Sequence, residues 1–323
     1  MNNFKKIVLA WFVKIFGHDK VKGVTKVFHL LGAVILIYIL STLQYSRIFY
    51  ILKEINFFYL FLHMFSFFIY FFLKVYRFYF ILDRYSHKAS FFTVFGATIE
   101  AQYFGFVTPS RIGESIKIVF LEAKAGIPKK ISLMTYVYDR FQDLYFMSLL
   151  GLLGFIFILK LPINKYLLVF AVCMLIVFLV KNLILKRIAK KFKIDKFSIL
   201  SLKSDFYLFF QNNLIFLFFF LEFYFSALSL GVDIDFFYLS AVAVLGSLST
   251  LIPISVSGLG IREGIFIYYL VKIGVSKESA FLISFLDNFG FLIIFVLILH
   301  LVYKIMLKIF AKWVSEHKVK TNA

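Results

Sequence analysis

The stretch AGIPKKISLMTYVYDRFQDL, residues 125–144, aligns without gaps with IGVSKESAFLISFLDNFGFL, residues 273–292. Gly126 meets Gly274, Lys129 meets Lys277, Asp139 meets Asp287, Phe141 meets Phe289 and Leu144 meets Leu292. Just upstream, TPSRIGE (108–114) corresponds loosely to IPISVSGLGIREG (252–264), so that each copy carries a Pro, a Gly, an Arg and a Glu ahead of the shared Gly. Two of the four prolines, Pro109 and Pro253, occupy these equivalent breaks. Chance similarity between Phe-rich segments would reproduce apolar positions, whereas shared Pro, Gly and Asp positions mark repeated breaks and polar sites. The chain therefore divides into two related halves, about 57–185 and 207–303.

The surrounding composition identifies the solvent. Of 323 residues, 62% are apolar and 16% charged, and the mean hydropathy is +0.91; these values exclude a soluble globule. Forty-seven Phe and 19 Tyr exclude a disordered chain, because disorder requires too little apolar surface for collapse. The single cysteine, Cys173, excludes a disulfide framework and thiolate metal sites, and neither a metal nor a cofactor is expected. An excess of 36 Lys and Arg over 17 Asp and Glu gives a net charge of +19, but nothing beyond that charge points to nucleic acid.

A membrane span needs about 20 mainly apolar residues. Six runs qualify: 27–43, 57–82, 132–159, 166–185, 207–230 and 280–303. Regions 91–125 and 236–275 are apolar but interrupted by Pro, Gly and charge, and are read as broken helices that re-enter on the side they left. Such backbone is tolerated at membrane depth only against protein or a water-filled cavity. Basic residues cluster before the first run, in 181–203 and in 304–320, whereas the connection carrying Asp233 and Asp235 has none. The positive-inside bias then places both termini in the cytoplasm of a cell-membrane protein. With that orientation the run from Ser132 leads outward and the run from Ala280 inward, which inverts the halves. The expected fold is thus an all-α polytopic membrane protein, with six full spans and two re-entrant regions in two inverted, pseudo-symmetric halves. Residues 1–26 form a basic amphipathic segment, with Phe4, Ile7, Val8, Trp11, Phe12 and Ile15 at helical spacing opposite Lys5, Lys6 and Lys14. It is expected to be retained, because its short apolar stretch is followed by no small-residue cleavage site. Residues 27–303 make one transmembrane domain, and 304–323 a basic cytoplasmic tail.

Charge inside an apolar run costs at least ~2.5 kcal/mol at the bilayer centre and so demands a partner or a cavity. Arg111, Glu114, Asp139, Arg140, Arg262, Glu263, Asp287 and Asn288 sit at or just after the two breaks and are the main candidates for binding or transport. Pro109, Gly113, Pro253, Gly258 and Gly260 are the helix-breaking positions. Arg77, Glu100, Asp143 and Glu222 are secondary candidates, and Asp139 and Asp143 share a helical face. Arg111, Arg140 and Arg262 would meet an anionic head group through forked guanidinium donors. Glu114, Glu263, Asp139 and Asp287 would hold those arginines or carry a proton. Structural ion pairing and capping of half-helices by Glu114 and Glu263 is the competing explanation. Lys74 and Arg77, near the end of the second run, can snorkel to the interface, and His63 among phenylalanines reads as structural.

No HExxH, P-loop or G-x-S-x-G pattern occurs, so no catalytic residue is assigned and the drive is a gradient or none. Broken segments at matching places in inverted halves are the pattern of secondary transporters, in which half-helix ends meet at a midplane site. At TPSRIGE followed by Asp139 and Arg140, and at the run Pro253, Gly258, Gly260, Arg262 and Glu263, the chain resembles the membrane domain of the lysylphosphatidylglycerol synthase/flippase family, which includes the membrane half of the bacterial multiple peptide resistance factor. The resemblance, over about 27–303, implies a flippase-like protein moving lipid between leaflets, with its motif positions on Pro109, Arg111, Gly113, Glu114, Asp139, Arg140, Pro253, Gly258, Gly260, Arg262 and Glu263. Asn288 stands where the first half has Arg140, a departure from symmetry. In the resistance factor an appended synthase domain makes aminoacylated phosphatidylglycerol. No such domain is seen before Ala323, so aminoacyl transfer is not expected and the cargo does not carry over. The expected cargo is an anionic phospholipid or a lipid-linked precursor such as a polyprenyl-phosphate or glycolipid. Two alternatives stand beside transport. One is an accessory subunit that delivers lipid to, or scaffolds, a glycosyltransferase or other lipid-modifying enzyme. The other is a membrane-embedded enzyme acting on a lipid phosphate through Asp139 and Asp143.

Overall fold

The computed structural model describes residues 32–85, 89–106, 112–158, 202–250, 258–287 and 297–306, with isolated helical positions between 172 and 190. Every regular element among them is helical: α1 (Gly32–Ser41), α2 (Tyr45–Lys53), α3 (Phe57–Asp83), α4 (Phe91–Phe106), a 3₁₀ turn (Ile112–Ser115), α5 (Ile116–Ala125), α6 (Lys129–Ile158), α7 (Leu202–Ser229), α8 (Phe236–Ser249), α9 (Ile261–Val271), α10 (Lys277–Phe285) and α11 (Leu297–Met306).

Local chemistry sets several boundaries. Asn56 opens α3 by accepting from the backbone N–H of Phe58 and Tyr59, and Asp235 and Ser276 cap α8 and α10 in the same way through Tyr238 and Ser279. Gly126 closes α5 in a left-handed conformation (φ 62°) and donates to the Glu122 carbonyl, as expected of a C-terminal glycine. Its repeat partner Gly274 also has positive φ, at 89°. Each glycine is followed by a helix that starts at the matched lysine, Lys129 for α6 and Lys277 for α10. The sequence repeat is thus a repeat of local structure.

Helices α3 and α7 are long and apolar enough to cross a membrane. The pair α1 and α2 qualifies only when taken together, and it is bent by 81° at the Thr42–Gln44 break, where the first expected run, 27–43, ends. Helix α6 has 30 residues, about 45 Å at the helical rise, but carries Asp139, Arg140 and Asp143 in its first half. The expected run 166–185 lies outside the described residues apart from isolated positions, as do 1–26, most of the basic stretch 181–203, and the tail beyond 306. The last expected run is described only as α10, its continuation through Asp287, and α11.

Helix α3 packs along α7, α6 packs on α8, and α9 packs on α10. The helices flanking each break, α4 with α5 and α8 with α9, pack on one another. Val94, Ala97 and Ile99 of α4 share an apolar cluster with Phe120 and Leu121 of α5, and a methyl group on Gly246 of α8 would meet the Phe266 ring and Arg262 of α9. The α3 phenylalanines separate by face: Phe57, Phe58, Phe61, Phe65, Phe68 and Phe72 are exposed, whereas Phe67, Phe71 and Phe78 are buried alongside His63, Ser66 and Arg77. An apolar exterior around a partly polar interior is the arrangement expected when the solvent is hydrocarbon.

Candidate functional site

Arg77 of α3 sits at the centre of the first-half cluster and is fully buried. Its Nε donates to Asp139 Oδ1 at 2.8 Å, Nη2 to Asp143 Oδ1 at 2.7 Å and Nη1 to Asn212 Oδ1 of α7 at 2.7 Å. Asn212 in turn donates to Gln142 at 2.9 Å. Asp139 and Asp143 lie one helical turn apart on α6, so a single planar guanidinium reaches both. Lys74, one turn before Arg77 on α3, reaches the other Asp143 oxygen at 3.0 Å. Arg140 contacts Glu114 at 3.0 Å, Asp139 at 3.3 Å and Asp143 at 3.6 Å. Lys117 of α5 is buried nearby over the Phe78 ring, 4.8 Å from its centroid, without a carboxylate in ion-pair range among the described residues. Among the described residues the cluster therefore holds four basic side chains, Lys74, Arg77, Lys117 and Arg140, against three acids, Glu114, Asp139 and Asp143.

The second-half cluster has the opposite balance. Arg262, near the start of α9, pairs with Asp287 and lies over the adjacent Phe223 and Phe266 rings, 5.1 and 5.9 Å from their centroids. Glu222 of α7, buried at 2% exposure, adjoins Asp287. The Nδ1 of His63 lies 2.8 Å from the Glu222 backbone carbonyl. Glu263 accepts the Gly260 N–H at 2.6 Å and faces Ser284 at 3.4 Å, which closes the start of α9 where Gly260 adopts φ 88°.

One cavity of about 250 Å³ joins the two clusters. Lys74, Arg140 and Asp143 line its first-half side, and Glu222, Arg262 and Asp287 its second-half side. Gln102, Ser247 and Thr250 add neutral polar groups, and Phe67, Phe71, Phe216 and Phe219 form apolar walls. Polar groups converging on an apolar pocket are the usual anatomy of a small-molecule site.

The structure thus brings Arg140, Asp143, Glu222, Arg262 and Asp287 to one cavity, with Asp139 and Glu114 behind Arg140. Three expectations change. Glu263 holds a helix start rather than an arginine. Lys74 and Arg77 point inward to α6 carboxylates instead of snorkelling, because α6 lies beside α3 and offers charge at shorter range than the interface. Glu100 faces His300 at 3.3 Å, away from this cavity. Gly113 and Gly258 lie at the breaks, Gly258 with φ 80° and a Cβ direction blocked by Thr250. Pro109, Arg111, Pro253 and Asn288 fall outside the described residues. Lys117, Asn212 and Gln142 were not singled out from sequence. A lysine within IKIVFLEAKA carries no local mark of burial, and an amide on a long apolar helix reads as incidental until its partner is known.

No curated protein and no solved structure matches the chain. The family described as "Lysylphosphatidylglycerol synthase TM region" matches residues 26–299, a range that contains every described helix up to α10 and both clusters. The chain is a membrane protein that belongs to this lysylphosphatidylglycerol synthase transmembrane-region family.

Proposed function

We propose that the chain transports lipid: the head group of an anionic phospholipid or lipid-linked precursor enters the cavity while its acyl or prenyl tails remain in the bilayer. The observation that carries this proposal is the cavity itself, which unites charged side chains from both halves of an otherwise apolar chain. Lys74 and Arg140 from one half and Arg262 from the other supply the cationic groups for a phosphate, with Arg offering forked donors. Each is anchored by carboxylates and so is held in place before a ligand arrives. Opposed placement of the halves also suits alternating exposure. The packed pairs α4–α5 and α8–α9 act as re-entrant hairpins, and inverted repeats of this kind rock around a midplane site. Within this proposal the full layout has six spans and cytoplasmic termini in the cell membrane, and the chain has no enzymatic activity of its own. Arg77 lies across both Asp139 and Asp143, which occupies the carboxylates a lipid-phosphate enzyme would need as acid and base.

The test is a flip assay with fluorescent phosphatidylglycerol in vesicles reconstituted with the full chain. Arg140→Ala and Arg262→Ala are each expected to reduce the protein-dependent flip rate at least tenfold while the helical spectrum is retained. Undiminished flipping in both variants would remove the cavity from the mechanism. No protein-dependent flipping in the unaltered chain would favour delivery of lipid to a partner enzyme.

A further inference from the structure

Glu222 and Asp287 adjoin each other from α7 and the end of α10, at 2% and 6% exposure, and both line the cavity. One guanidinium, Arg262, faces the pair and is paired to Asp287. Each acid has an oxygen that makes no hydrogen bond among the described residues, Glu222 Oε2 and Asp287 Oδ1. Two ionised carboxylates can only accept, so bringing them together leaves both short of a donor and adds repulsion that low dielectric strengthens. A single proton between them provides the missing donor and leaves one negative charge to match Arg262. A metal ion fits less well. The adjacent guanidinium repels it, and among the described residues no group of three or more His, Cys, Asp or Glu side chains is arranged to hold one.

We propose that Glu222 and Asp287 form a proton-carrying site in the cavity wall, loaded or emptied as a head group occupies the cavity. The coupling is electrostatic. A phosphate drawn to Arg262 competes with Asp287 for the guanidinium, and the one negative charge left on the singly protonated pair, deprived of that partner, favours uptake of a second proton, which is released when Arg262 returns. The charged and titratable groups facing the pair are His63 and Lys74 from α3, Arg140 and Asp143 from α6, and Arg262 from α9. The coupling rests on the transport function proposed above; the proton site itself does not.

The experiment uses infrared spectroscopy of the full chain in phosphatidylcholine–phosphatidylglycerol vesicles, following the protonated-carboxyl stretch from acid to alkaline pH, with flip rates of fluorescent phosphatidylglycerol measured in the same vesicles. One protonated-carboxyl band per chain is expected to persist at neutral pH, where exposed carboxyls are ionised. It should be lost or displaced in Glu222→Gln and, as a second variant should that one fail to fold, in Asp287→Asn, and Glu222→Gln should also flatten the pH dependence of flipping. A neutral-pH band indifferent to both substitutions, or no such band, overturns the site. A Glu222→Gln variant that keeps the unaltered pH profile of flipping overturns the coupling. A substitution-sensitive band without flipping at any pH supports the proton site and refutes the transport function instead.

Discussion

Replacing Arg77 with Ala should be the most damaging single change in the first-half cluster. The substitution removes three charge-assisted or amide hydrogen bonds of 2.7–2.8 Å and leaves Asp139, at 1% exposure, without its nearest cation. Breaking a buried pair by deleting one partner costs about 3–5 kcal/mol, mainly because an uncompensated charge stays behind. Here the cost should fall near the lower end, about 3 kcal/mol, because Arg140 still lies 3.3 Å from Asp139 and Lys74 still lies 3.0 Å from Asp143. The remedy follows from the same cause. Adding Asp139→Asn to Arg77→Ala removes the stranded charge and should recover about 1–2 kcal/mol, a coupling typical of contacting residues. Equilibrium unfolding in mixed detergent, followed by helical circular dichroism, measures all four corners of the cycle. If Arg77→Ala destabilises by less than about 0.5 kcal/mol, the level of an ordinary surface substitution, or if Asp139→Asn simply adds its own loss, the electrostatic reasoning is wrong.

Lys117→Met replaces a buried cation whose close partner among the described residues is the Phe78 ring. It should leave thermal stability unchanged or higher, yet reduce the anionic lipid retained on native mass spectrometry, because a desolvated unpaired charge is costly until an anion arrives. Gly154→Ala would bring a methyl group to 2.6 Å from the Ala241 Cβ. Separating α6 from α8 should cost about 1–3 kcal/mol in the same unfolding assay. Ser276→Ala removes the cap at the start of α10 and should cost about 1 kcal/mol, seen as faster amide exchange confined to residues near 277–280.

Some features were legible in the sequence because their causes are local. The chemistry of Asn56, Asp235 and Ser276 as caps, the left-handed turns at Gly126 and Gly274, and the exposed row from Phe57 to Phe72 all arise within a few residues of chain. The repeat made Asp139 and Asp287 equivalent, and each does meet an arginine. Their partners could not be read from spacing. Arg77 is brought to Asp139 by the packing of α3 on α6, whereas Arg262 reaches Asp287 across the contact of α9 with α10. Lys74 and Arg77 show the limit most clearly: along the chain they lie near the end of an apolar run, where snorkelling is the inexpensive solution, and only the neighbouring helix shows a carboxylate nearer than the interface.

The sequence by itself determined that this is a helical membrane protein, since hydropathy, periodicity, caps and glycine turns act over one or two helical turns. Tertiary structure alone decided which charges share a cavity, that Glu222 adjoins Asp287, and that the first-half cluster carries more cations than acids while the second carries more acids than cations. Electrostatic energy depends on distance through space, and side chains far apart in sequence acquire that distance only when their helices pack.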